Sequence, residues 1–204
     1  MGRYTGPTDR LSRREGVNLF LKGERSYTGK LDKRLEQPPG VHGLRRRSKF
    51  SEYGIRLREK QKVKNMYGIR EKQFSRYFKR AARMSGITGS LLITMLEQRL
   101  DNVVYRLGFA SSRNDGRQLV SHKHILVNGA MVNIPSYQVK EGDTIEIREK
   151  SKNLTRIQEG LRLLERRPIP SWLDMDVEKL KGSVSRLPER EDVTVPIDEQ
   201  LIVE

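Results

Sequence analysis

The chain has 204 residues, enough for one or two domains with apolar cores, and carries 41 Lys+Arg against 26 Asp+Glu, a formal net charge of +15 and a pI near 10.2. An excess of that size draws polyanions and works against tight packing with basic partners. The absence of cysteine excludes disulfides, thiolate zinc sites and a thiol nucleophile, and the longest apolar run, Leu91 to Leu96, is too short to span a bilayer, so a soluble cytosolic protein with no membrane partner is expected.

The charge is unevenly spread. Residues 1–100 hold 25 Lys+Arg and 9 Asp+Glu, whereas residues 101–204 hold 16 and 17. The footprint for a polyanion therefore lies in the first half. Residues 1–50 read as a basic, loop-rich N-terminal arm, because Pro7, Pro38, Pro39 and seven glycines interrupt any long period. The arm ends in the cationic cluster Gly43-Leu-Arg-Arg-Arg-Ser-Lys49. It has too little apolar surface to fold alone, so docking on the rest of the chain or on RNA is expected to order it.

A helical region follows over 51–95. Ser51 can cap a first helix that runs to about Asn65 and stops at the Gly68 turn. Phe74, Tyr77, Phe78, Ala81 and Ala82 then form one apolar stripe of a second helix, with Lys72, Arg76, Lys79, Arg80 and Arg83 on its other faces. A solvated surface is the ordinary reading of such cations. Here almost no acids are interleaved, and like charges at i,i+4 destabilise an isolated helix, a cost that an anionic ligand removes. A third helix is expected from Thr88 or Ser90 to Leu107, with Gly108 as its C-cap.

Residues 96–150 form the next unit. Ser112 and Asp115 have the spacing of a capping box at the start of a short helix, inside which Gly116 costs about 1 kcal/mol relative to Ala, so tertiary contacts must hold it. Asn128-Gly129 between Ile125-Leu-Val127 and Met131-Val-Asn133 predicts a type I′ hairpin. Glu141-Gly-Asp143 turns into an alternating strand, Thr144–Ile147. Over 151–204 a helix near 153–166 ends at Pro168 and Pro170. An extended tail with short elements follows, expected to pack back on the helical region. The fold class is thus α+β: a mainly helical basic domain, completed by the C-terminal segment, plus a small helix–helix–hairpin domain.

The runs Arg99-Leu-Asp101 … Tyr105-Arg-Leu-Gly-Phe109 and Arg117-Gln-Leu-Val120 … His124-Ile-Leu-Val-Asn-Gly129 resemble the RNA-binding domain named after ribosomal protein S4, an αL-like motif. That domain also occurs as an appendage in pseudouridine synthases, tyrosyl-tRNA synthetases and a small heat-shock protein. The flanks decide between them. Gly2-Arg-Tyr-Thr-Gly-Pro7, Arg13-Arg-Glu-Gly16, Leu21-Lys-Gly-Glu-Arg25, Leu57-Arg-Glu-Lys-Gln-Lys62 and Leu187-Pro-Glu-Arg-Glu-Asp192 are similar to the bacterial S4 family over nearly the whole chain.

The resemblance implies a structural protein of the small ribosomal subunit that binds the five-prime domain of the ribosomal RNA early in assembly. It implies ribosomal protein S5, other small-subunit proteins and incoming messenger RNA as neighbours, and an influence on decoding accuracy. Some members repress their own messenger. The family's four zinc-binding cysteines match Asp9, Ser12, Ser26 and Leu31 here, which implies a zinc-less variant with no cofactor.

The RNA-binding candidates are Arg3, Arg13, Arg14, Arg45, Arg46, Arg47, Lys49, Arg56, Arg58, Lys60, Lys62, Arg70, Lys72, Arg76, Arg80, Arg83, Arg113, Arg117 and Lys123. Arginine suits this task because bidentate guanidinium–phosphate pairs add geometry to charge, and folded RNA is read through phosphates, 2′-hydroxyls and shape. For Arg113 and Arg117, at i,i+4 on the short helix, solvated side chains and phosphate ligands stand level on sequence alone, and the resemblance favours contact. The helix start at Ser112 would offer free N–H groups beside them.

Enzymatic readings find no support. His122-x-His124 lacks a third metal ligand, Asp174 and Asp176 fall in a loop, and no P-loop, dinucleotide turn or serine elbow occurs. An RNA-modifying enzyme would need a catalytic segment for which no residues remain. A general DNA-binding protein would share the charge but not the 97–147 signature.

Overall fold

A computed structural model describes residues 4–41, 43, 49–193 and 196–204. Its helices are α1 (Thr8–Glu15), α2 (Glu52–Met66), α3 (Glu71–Ala81), α4 (Thr88–Glu97), α5 (Leu100–Arg106), α6 (Arg113–Ser121), α7 (Thr155–Arg162) and α8 (Glu199–Val203). Its strands are β1 (Ile125–Val127), β2 (Ala130–Met131), β3 (Thr144–Ile147), β4 (Leu173–Asp176) and β5 (Lys181–Val184). The chain divides into two compact units, Met1–Gly89 with Val195–Glu204, and Ser90–Thr194.

In the first unit the arm is more ordered than its loop-rich composition suggests. Pro7 pre-sets the extended entry to α1, and Gly16, at φ 72°, closes it by donating its N–H to Ser12 O. Leu19, Leu21 and Leu31 are buried behind it. Asp9, Ser12, Ser26 and Leu31, the positions expected to lack a zinc site, are each engaged in other contacts. Ser12 Oγ accepts from Leu19 N and Ser26 Oγ from Lys22 N, Asp9 pairs with Arg25, and Leu31 is apolar filling. Asn18 ties the same knot, donating to Ser26 O at 2.8 Å and Asp32 Oδ1 at 3.2 Å. Among the described residues no three His, Cys, Asp or Glu are grouped to hold a metal ion.

Ser51 caps α2 by accepting from Gly54 N, and Gly68, at φ 62°, makes the turn to α3. Phe74, Tyr77 and Ala81 face inward, Phe78 is half-buried and Ala82 is exposed. From the far end of the chain, α8 packs on α2, capped by Asp198, whose N–H donates to Glu59 Oε1 at 2.9 Å.

The second unit is a five-stranded antiparallel sheet, β2-β1-β3-β5-β4, with helices packed on it. Its core gathers Leu100, Val104, Leu107, Phe109, Leu119, Ile125, Ile145 and Trp172. The Asn128-Gly129 turn has both residues at positive φ, 51° and 76°, as a type I′ hairpin requires.

Four expectations need correction. Asp174 and Asp176 lie on strand β4, paired with β5, and not in a loop. The single helix from Thr88 to Leu107 is two, because Gln98 and Arg99 are drawn into β-like pairing: Val139 N donates to Gln98 O and Leu100 N to Tyr137 O. The tail does not all return to the helical region. Residues up to 193 stay in the second unit, where β4 and β5 extend the sheet from β3 and Trp172 is fully buried, and only the last segment joins the first. The capping box is half-formed: Ser112 Oγ accepts from Asp115 N, but the Asp115 carboxylate accepts from Ser111 N instead of Ser112 N.

Candidate RNA interface

The basic residues of the first unit fall into two groups. Those of α2 are engaged by the protein's own acids. Arg56 pairs with Glu204 at 2.9 Å, Arg58 with Glu15 at 3.2 Å, Lys60 with Glu71 at 2.7 Å, Lys62 with Glu59 at 2.6 Å and Lys64 with Glu71 at 3.2 Å. Lys62 also donates to Pro196 O. These bonds hold Glu71 below the ordinary carboxyl range, chiefly through Lys60. Glu15 goes the other way: burial raises it despite Arg58.

On α3 the pattern reverses. Lys72, Arg76, Lys79 and Arg80 point away from Phe74, Tyr77 and Ala81, and all four are exposed, as are Arg70 before the helix and Arg83 after it. Among the described residues no ion pair is made by Arg70, Lys72, Arg76, Lys79 or Arg83. The apolar stripe dictates this arrangement, since anchoring one face of α3 in the core leaves its cations on the opposite one. Lys79 is missing from the sequence-based candidates, although it lies at i+7 from Lys72 and on the same face.

In the arm, Arg13 is half-buried and donates from Nε to Gln37 O at 3.0 Å, so it closes the arm on itself, while Arg14 and Lys49 are exposed. Arg3, Arg45, Arg46 and Arg47 lie outside the described residues.

In the second unit, Arg113 and Arg117 do not form an exposed pair. Arg113 is 6% exposed; its Nε donates to Asn102 Oδ1 at 2.8 Å, and its guanidinium sits 4.6 Å from the Tyr105 ring centre. Asn102 in turn donates to Glu97 Oε2, whose carboxylate takes both Nε and Nη2 of Arg106. Arg113 thus belongs to a buried polar chain tying α6 to α5 and is not, as its spacing suggests, an open phosphate ligand. Arg117 is half-buried, and Lys123, at φ 65° in the turn after α6, is exposed. Gly116 makes the helix contact possible, for a Cβ there would lie 2.6 Å from Asp101 O.

A basic unit with an outward-facing cationic helix, followed by a nearly neutral one in which two helices tied by a buried Arg–Asn–Glu chain pack on a hairpin sheet, is the arrangement of an RNA-binding protein of the ribosomal kind. Comparison with known proteins agrees. Residues 3–97 match the model of the ribosomal protein S4/S9 N-terminal domain and residues 98–145 that of the S4 domain. The chain is 60% identical over 205 residues to small ribosomal subunit protein uS4 of Geotalea daltonii, 58% to that of Trichlorobacter lovleyi, and 56% over 206 residues to that of Natranaerobius thermophilus. Each alignment covers 100% of this chain and 98% of its relative. The chain belongs to the uS4 family of small-subunit ribosomal proteins, whose members are structural, RNA-binding constituents of the ribosome and not enzymes.

Proposed function

We propose that this protein is a primary binder of the five-prime domain of small-subunit ribosomal RNA, nucleates assembly of that domain, and supports decoding accuracy beside ribosomal protein S5 where messenger RNA enters. One observation carries the RNA reading: α3 presents Lys72, Arg76, Lys79 and Arg80 on one exposed face while the cations of α2 are held by internal carboxylates. Among the described residues Lys72, Arg76 and Lys79 make no ion pair, so a phosphate backbone gains most there, each of these cations releasing a counterion without breaking an internal pair. Arg70 and Arg83, at the two ends of α3, extend that surface, Arg14 and Lys49 are further exposed cations of the same unit, and Arg117 and Lys123 offer a second, smaller surface on the other unit.

The test is binding of the purified chain to a transcript of the five-prime domain across a salt series. The logarithm of the affinity should fall linearly with the logarithm of salt concentration, by about 0.7 to 0.9 per phosphate contact and so by several units in all. A flat response, or equal affinity for duplex DNA, would count against the reading. The S5 and messenger contacts are tested separately, by crosslinking within assembled subunits.

A further inference from the structure

We propose that Arg167 is a positioning residue for RNA recognition, acting through Tyr105 and the Ala110 carbonyl to fix the turn from which α6 starts. The proposal rests on the RNA-binding reading, and it assigns a role to a residue beyond the 98–145 match that marks the S4 domain.

Arg167 is 8% exposed, and its guanidinium lies 3.8 Å from the Tyr105 ring centre, on the same ring that Arg113 approaches at 4.6 Å. Its Nη2 donates to Ala110 O at 3.1 Å. Among the described residues no carboxylate pairs with it, and its Nε and Nη1 are buried without a partner. A guanidinium used only as filling is a costly choice, because a buried cation without a counter-charge loses hydration that one ring and one carbonyl only partly replace. A buried arginine of this kind can, however, do two things that an apolar side chain cannot. It holds the Tyr105 ring and the Ala110 peptide in one geometry, and it keeps positive potential next to the N-terminal end of α6, where the helix dipole has the same sign.

Its own place is firmly set. Arg167 N donates to Leu163 O at 2.9 Å at the end of the turn after α7. That helix presses on the α5–α6 loop at Gly160, where a Cβ would lie 2.5 Å from Gly108 O. The chain of contacts thus runs from α7 through Arg167 to Tyr105 and Ala110, and from Tyr105 to Arg113 on α6. Burial by itself would push the Tyr105 phenol up, but Arg113 and Arg167 more than offset it and hold the group below its ordinary value. The phenol therefore reports on whether the clamp is intact.

The experiment uses the full chain and its R167Q and R167K variants, with the five-prime-domain transcript as probe. It reads affinity, salt slope, the RNA footprint, and the Tyr105 titration by NMR of the labelled ring carbon. R167Q should lose about tenfold or more in affinity, with protection lost at one patch of the RNA and the salt slope nearly unchanged. Its Tyr105 phenol should titrate at higher pH. R167K, which keeps a charge but not the planar fork, should fall between R167Q and the parent in both readouts. If the parent chain binds with a steep salt slope and a folded R167Q matches it in affinity and footprint, the positioning role is overturned. Should R167Q fail to fold, R167K decides: parent-like affinity and footprint overturn the role, and an intermediate loss upholds it. A salt-independent parent overturns the RNA reading instead, whatever the variants do.

Discussion

Single residues show how far local rules reach. Gly116 would gain about 1 kcal/mol of helix propensity as alanine, yet its Cβ would meet the Asp101 carbonyl at 2.6 Å, which is backbone and cannot turn aside. Overpacking of that kind typically costs about 1 to 3 kcal/mol, so G116A should be destabilised on balance, measured by chemical denaturation. A gain in stability would mean that α5 and α6 separate freely. Glu15 provides a pH test with a definite sign. Burial raises its folded-state pKa, so its contribution is fully present below the unfolded value and is lost as pH rises through the folded one. Stability of E15Q relative to the parent should therefore increase as pH is raised from the acid side through the glutamate range. Asp192 behaves oppositely: burial would raise it, but Arg186, the Glu189 N–H and Ser171 prevail and lower it, so what it adds is lost as pH falls below the ordinary aspartate value.

At the scale of elements, α2 and α3 are both rich in cations but use them differently, and mutation should separate the two. Replacing Arg76, Lys79 and Arg83 together with glutamine should reduce the salt slope by about 2 units, because each cation withdrawn from a phosphate lowers it by about 0.7 to 0.9, while the thermal midpoint should hardly move. The matching change at Arg56, Arg58 and Lys60 should chiefly affect stability, since it strips partners from Glu204, Glu15 and Glu71. Equal slopes for both triple variants would remove the distinction. Much of this was legible in the sequence. Ser51 and Ser112 announce their helices through their own side chains, Asn128-Gly129 announces its hairpin through backbone preference, and the stripe on α3 gives both its core face and its free face. What escaped reading depends on distant partners. The apolar stripe runs on past Gln98, and only the segment around Tyr137 and Val139 breaks the helix there. Arg113 has the spacing of a surface arginine, and its burial is decided by Asn102 and Tyr105 on another helix. The strands β4 and β5, Leu-Asp-Met-Asp and Lys-Gly-Ser-Val, carry little strand character alone and form because β3 offers an edge.

For the whole molecule, the later part of the chain does more than trail behind the RNA-binding motif. β3 is paired on both sides, Ile145 with Val127 and with Gly182, and Gly182 leaves just enough room for Leu107, which a Cβ there would meet at 2.6 Å. Trp172 is fully buried in the same core as Leu100, Leu119 and Ile125, so the motif shares its hydrophobic interior with residues far downstream. A chain that stops at Ile147 would leave the β3 edge unpaired and lack that indole, whose loss alone costs about 3 to 5 kcal/mol when a buried aromatic is truncated. Since a domain of this size has only about 5 to 15 kcal/mol of net stability, such a fragment should fail to unfold cooperatively and should tend to aggregate through its open edge. A fragment covering residues 90–193 should instead show one cooperative transition by circular dichroism. If the fragment ending at Ile147 melts as sharply as the longer one, the motif is self-sufficient, and β4, β5 and Trp172 are an addition to its core, not a part of it.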